Sequence, residues 1–263
     1  MILRKKELNS RFAGPINSLG LNKKTLKKEM KGKLYLIPNT LGEGDVNSVF
    51  PSTNVEVLRK IKHYIVEDVR TIRRFLKKMD KDIDIDSLTF YTLNKHTDEK
   101  EIGSYLKPLM EGNDVGVISE AGCPAVADPG ASVVKLAQEK DIKVVPLVGP
   151  SSILLGLMAS GFNGQSFAFV GYLPIEDANR TKAIKKLETR AKTESQSQIF
   201  IETPYRNMKM LSQLLSTCQG STRICVACDI TLETEYIKSK TVAEWKKTEL
   251  PDLNKRPCIF IIY

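Results

Sequence analysis

Val115-Gly-Val-Ile-Ser-Glu-Ala-Gly-Cys-Pro-Ala-Val-Ala-Asp-Pro-Gly130 is the stretch whose reading decides the fold. Its first four residues form an apolar, β-branched run of the length of a buried strand. The twelve residues Ser119 to Gly130 are small and kinked and include two acids, a composition that a mere connection does not need. A helical pattern over Ala131 to Lys140 follows, with Pro129 and Gly130 at its start. A buried strand, a loop at its carboxyl end and a helix form the repeating unit of an open parallel sheet, whose ligands gather beyond the strand ends.

Outward from this unit the same alternation continues. Strand-like runs are Leu34 to Pro38, Lys143 to Val148, Ser166 to Val170, Gln198 to Ile201, Thr222 to Ala227 and Cys258 to Tyr263. Helical patterns are Val55 to Lys62, Val69 to Lys78, Lys100 to Glu111, Ile153 to Ser160, Thr181 to Lys192 and Asn207 to Thr217. The polar, glycine-rich segment Ser160 to Gly164 punctuates the series and marks a domain seam. The expected fold class is α/β with two α/β domains. Residues 34–160 carry a mostly parallel sheet and residues 161–263 a mixed one, whose strands are differently spaced.

The formal net charge is +9, but residues 1–33 hold ten Lys/Arg and two Glu, so the remaining chain is almost neutral. The basic total describes an appendage, expected to be a flexible arm unable to bury enough surface to fold alone. If the substrate is RNA, that arm adds salt-sensitive affinity; a start at Met30 or an organellar presequence are the alternatives. Residues 144–175 are uncharged, yet Pro146, Pro150, Gly156, Gly161, Asn163 and Gly164 divide them into pieces too short to span a bilayer. Five cysteines in a lysine-rich chain fit a reducing cytoplasm. Cys225 and Cys228 lie three apart in a strand-like run, on opposite faces, and only two histidines exist, so no metal site is expected.

Three loops follow strand-like runs. Pro38 to Asp45 contains Gly42 and Gly44, allowing close backbone approach to a ligand, but its spacing is not that of a dinucleotide-binding turn. Ser119 to Gly130 exposes backbone groups beside Glu120, which favours a cation; Asp128 and Pro129 are read as the start of the next helix. Val148 to Ser152 ends in two serines that either cap the helix from Ile153 or face a ligand.

Together, in this order, the loops resemble the tetrapyrrole methylase superfamily, and within it the small-subunit rRNA cytidine 2′-O-methyltransferases. Leu34, Tyr35, Pro38, Leu41, Gly42 and Asp45 follow that branch's start, and Glu67-Asp68-Val69-Arg70 its E-D-T-R element. Ser119 to Gly130 is similar to its S-D-A-G-T-P loop, with Glu120 for Asp and Cys123 for Thr. Val148 to Ser152, Ala159 to Phe162, Gly171 to Pro174 and Glu202 to Arg206 follow its later elements. Glu43 stands where the branch has Asn, and Tyr91 to Lys95 reduces its Y-H-E-H-N element.

The resemblance implies S-adenosyl-L-methionine held between two domains, a homodimer, and small-subunit ribosomal RNA as the partner. It places the cofactor on Pro38, Leu41, Gly42, Ser119, Glu120, Ala121, Gly122, Cys123, Ser151, Ser152, Tyr172, Glu202 and Pro204. Asp68, Arg70 and Arg206 are the catalytic candidates, with Glu67 and Glu202 as further proton acceptors. Methyl transfer from a sulfonium is an in-line displacement, so positioning and a base suffice. The rival readings are a methylase of a tetrapyrrole-like small molecule and a cofactor-binding module without catalysis.

Overall fold

A computed structural model of the chain describes residues 31–94 and 97–263. The greater part of the basic arm, and Lys95 of the reduced element, lie outside the described residues. Lys31–Tyr263 form one compact unit.

The first sheet has the order β3-β2-β4-β1-β5 and is parallel throughout. Its strands are β1 (Leu34–Ile37), β2 (His63–Val66), β3 (Thr89–Thr92), β4 (Val115–Ile118) and β5 (Val144–Pro146). Helices α1 (Thr53–Leu58), α2 (Val69–Met79), α3 (Glu99–Tyr105), α4 (Lys107–Met110) and α5 (Ala131–Glu139) make the crossovers. Leu34 and Leu36 point toward Ile102, Leu109 and Val133, whereas Ile37 points toward Leu58, Ile72 and Leu76. The period of two along β1 thus buries both faces, as a parallel sheet covered by helices requires.

The second sheet has the order β6-β7-β10-β8-β9, with β6 (Phe167–Tyr172) parallel to β7 (Ser197–Ile201) and every other pairing antiparallel. It is the mixed sheet expected for the second half, completed by β8 (Arg223–Cys228), β9 (Tyr236–Thr241) and β10 (Cys258–Ile262). Phe200, Val226 and Phe260 face α7 (Asp177–Thr193), α8 (Asn207–Thr217) and α9 (Val242–Trp245). Ile199, Cys225, Ala227, Ile259 and Ile261 face α6 (Ser152–Ser160). Cys225 and Cys228 therefore do point to opposite faces. Although α6 precedes the glycine-rich segment, it packs on this second sheet.

Three strands are absent from the sequence reading. β2 and β3 have four residues each and sit beside charged helices, too short for a period to register. β9 carries Lys238 and Lys240 and is the edge of its sheet, where polar residues discourage further pairing. The pattern over Lys100 to Glu111 resolves into α3 and α4, with Pro108 inside the second.

Candidate active site

The three loops singled out in the sequence meet beyond the carboxyl ends of β1, β4 and β5. Asn39, after β1, and Gly122, after β4, exchange backbone hydrogen bonds: Asn39 N donates to Gly122 O at 2.9 Å and Gly122 N to Asn39 O at 3.2 Å. The buried Asn39 amide also donates to the carbonyls of Ser119 (3.0 Å) and Glu120 (3.1 Å). The third loop is fastened by packing. A Cβ on Gly149 would lie 2.5 Å from Cβ of Pro38, so only glycine lets the chains approach this closely. The Cys123 thiol lies 3.6 Å from Pro150 O, and the Asn54 amide donates to Val148 O at 2.9 Å.

This clasp borders two contiguous cavities of about 230 and 240 Å³ that share Leu41, Ala121, Ser152 and Ile201. Together they are of a size that holds a small cofactor. The first is acidic at one end, where Glu120 and Asp128 line it, and small-walled along Gly122, Cys123, Ser151 and Ser152. The second is apolar, with Ala227, Ile230 and Ile259, and has Tyr172 and Asp229 at its margin.

Asp128 does not start the helix, contrary to the sequence reading. Ala127 and Gly130 both have positive φ (59° and 127°), and α5 begins at Ala131 after Gly130, which provides no side-chain cap. The Asp128 carboxyl turns inward instead. Burial, reinforced by Glu67 and Glu120, pushes its pKa up to about 6, and its buried Oδ2 lacks a hydrogen-bond partner. Burial likewise raises the pKa of Glu120, whose Oε1 accepts from Asp68 N at 3.2 Å.

The remaining anticipated residues divide by place. Pro38 is buried against Gly149, and the Ser119 hydroxyl donates to Gly122 O at 2.9 Å; both shape the loops. Ser151 caps α6 through Leu154 N and also lines the cavity. Gly42 borders an adjoining cavity on the outer side of the first loop. Glu202, behind Ile201, is buried, and its Oε1 accepts from Arg206 Nη2 at 2.6 Å and from Thr203 N at 2.6 Å. Pro204 closes the same turn by accepting from Lys255 N at 3.2 Å.

Asp68 caps α2 by accepting from Thr71 N at 2.7 Å, and the Thr71 hydrogen bonds hold its pKa below the usual carboxylate range. Arg70 is exposed. Among the described residues no hydrogen bond or ion pair joins Arg206, turned onto Glu202, to Asp68 or Arg70. Asn39 and Asp229 were not foreseen. Asn39 organises two loops, and Asp229 follows β8 and pairs with Arg256 Nε at 2.7 Å. Their common signal was position at a strand's carboxyl end.

No family model matches the chain. A curated relative from Vibrio cholerae, "Ribosomal RNA small subunit methyltransferase I", is 30% identical over 212 residues, covering 80% of this chain and 69% of the relative. The chain belongs to this methyltransferase family. The member from Escherichia coli O157:H7 is 27% identical over 227 residues, covering 86% of this chain and 75% of its own. Solved structures similar in fold include the methyltransferase CobJ, with TM-score 0.57, 15% identity and coverage of 88% of this chain and 93% of that one. Another is uroporphyrin-III-C-methyltransferase from Thermus thermophilus, with TM-score 0.52, 16% identity and coverage of 89% and 92%. This chain thus shares its fold with both of these solved methyltransferases.

Proposed function

We propose that this methyltransferase carries a methyl group from S-adenosylmethionine to a ribose 2′-hydroxyl of small-subunit ribosomal RNA. The observation that carries the reading is the clasp of small-residue loops around a cavity with an acidic end, in a chain of this family. S-adenosylmethionine would supply an electrophilic methyl group on a cationic sulfonium. The residues fit it: the unpartnered Oδ2 of Asp128 and the Glu120 carboxylate favour a cation, while Ile201, Ile230 and Ile259 suit an apolar ring.

Glu120 borders both the cleft and the outer cavity beside α2, which supports it as the base that would take the hydroxyl proton as the oxygen–carbon bond formed and the carbon–sulfur bond broke. Asp68, with its carboxylate engaged by the helix, holds Glu120 through its own N–H. Arg70 and Arg206 remain candidates for placing RNA phosphates. Incubation with labelled S-adenosylmethionine and either small ribosomal subunits or tetrapyrroles tests the reading; label is expected in the RNA as a 2′-O-methyl nucleoside. Label in the tetrapyrroles alone would replace this reading with its rival.

Two expectations follow from the same site. Because the raised pKa of Asp128 is about 6, its anion is lost below that pH. Cofactor affinity should therefore climb between pH 5 and 7, and Asp128→Asn should flatten that slope in calorimetry, leaving the part due to Glu120. The sign reverses for the free protein: ionising this half-buried group costs stability as pH rises through about 6, which thermal unfolding of the same pair reads.

The assembly proposed is a homodimer, supported by the outward apolar residues Leu154 and Met158 of α6 (51% and 77% exposed). A light-scattering mass near twice 29.5 kDa is expected, and a mass near 29.5 kDa at micromolar concentration refutes it. Among the described residues no helix is long and apolar enough to cross a membrane. A cytoplasmic location belongs to the same proposal.

A further inference from the structure

The polar face of α2 carries two rows of cations. Arg73 reaches toward Asp86 (3.5 Å) and lies over the Phe90 ring, and Lys77 Nζ donates to Lys81 O at 2.8 Å, so this row is held by the segment after the helix. Thr71, Arg74 and Lys78 form the other row, spaced three and four residues apart, and line a cavity. Together with Phe75 they make one wall of a cavity of about 320 Å³ whose opposite wall is the loop Asn39 to Glu43.

This cavity is larger than either part of the cofactor cleft and adjoins it, sharing Leu41, Glu120 and Ala121. Its charge is arranged oppositely. The cleft has Glu120 and Asp128 and, among the described residues, no cation in its lining, whereas the outer cavity carries two cations, Arg74 and Lys78, on its α2 wall, opposite Glu43 and the shared Glu120. Among the described residues Arg74 has no ion-pair or hydrogen-bond partner. Lys78 pairs only with Glu43, at 3.4 Å, and that carboxylate is fully exposed at the rim. Exposed pairs of this kind contribute little and are easily exchanged.

We propose that this cavity receives the RNA backbone on the acceptor side, with Arg74 and Lys78 contacting phosphates and Glu43 as the carboxylate that Lys78 releases on binding. The inference rests on the proposed rRNA reading and adds where the RNA lies. Cations spaced along one helix row suit a phosphodiester backbone, whose charges recur at regular intervals. The guanidinium of Arg74 can fork onto one phosphate, and Lys78 acts as a point charge. Glu43, a negative group at the entrance, opposes each phosphate that enters.

The test uses the full-length protein with small subunits lacking the modification, following methyl transfer, subunit affinity against salt, and cofactor affinity by calorimetry. R74A and K78A are each expected to raise KM for subunits about tenfold and to reduce the salt slope by about one, as for a lost phosphate contact. Cofactor affinity and melting temperature should stay unchanged; K78R should restore most of the affinity, whereas R74K, which keeps the charge but not the fork, should restore only part of it. E43Q should lower KM severalfold. If the wild type methylates subunits while R74A and K78A keep its KM and salt slope, the docking proposal is overturned. Loss of cofactor affinity in those variants overturns it too. If the wild type neither binds nor methylates subunits, the rRNA reading itself fails and the docking falls with it.

Discussion

Gly122→Val is expected to abolish S-adenosylmethionine binding while both sheets stay folded. Gly122 has φ +64°, a conformation that a β-branched residue adopts only at a cost of about 1–3 kcal/mol. A Cβ there would sit 3.3 Å from Leu41 Cδ2 and 3.6 Å from Pro150 O, at the seam where the three loops meet. The backbone strain, together with the crowding of Leu41, is expected to shift the loop and loosen the paired hydrogen bonds to Asn39 at the cleft's inner wall. Affinity should fall at least about a hundredfold, since misplacing a site by about 1 Å has consequences on that scale. Gly122 belongs to none of the core clusters, so circular dichroism should be preserved and the melting temperature lowered by only several degrees. Calorimetry on the folded variant decides it, and wild-type affinity would remove this loop from the cofactor site.

Glu120→Gln is expected to reduce methyl transfer by about two orders of magnitude or more at saturating cofactor, the usual contribution of a positioned general base. The side chain keeps its shape and can still accept from Asp68 N, but it no longer takes a proton. Because burial raises the Glu120 pKa, the wild-type rate should climb as pH rises through that raised value, and the variant should lack this limb. Asp68→Asn separates the two acids. Asparagine caps a helix about as well as aspartate, so a purely positioning Asp68 predicts activity within about threefold of wild type. A Glu120→Gln variant with undiminished single-turnover rate, together with an inactive Asp68→Asn, would transfer the base to Asp68.

How much of this was legible in the sequence depends on how local the cause is. The run Val115 to Ile118 is apolar at every position because helices cover both faces of its sheet, so it announces a central parallel strand on its own. Gly122 and the serines at 151 and 152 are readable for the same reason: backbone freedom and helix capping act within a few residues. β2 and β3, four residues each, become strands through pairing across the sheet, a stabilisation that local pattern does not record.

The site divides along the same line. From the sequence alone came the α/β class, a mixed second sheet, and the three loops after the strand ends that meet beside the cavities. Those features rest on periodicity, small residues and order along the chain. Tertiary structure decided what the charged groups do. Asp68 is spent on the end of α2, Arg206 folds onto Glu202, and Asp128 is turned from helix start to half-buried carboxylate. Side-chain electrostatics depend on burial and on neighbours brought in from elsewhere in the chain, such as Glu67 beside Asp128. Glu43 and Lys78 meet across a cavity 35 residues apart in sequence, and only folding sets that distance.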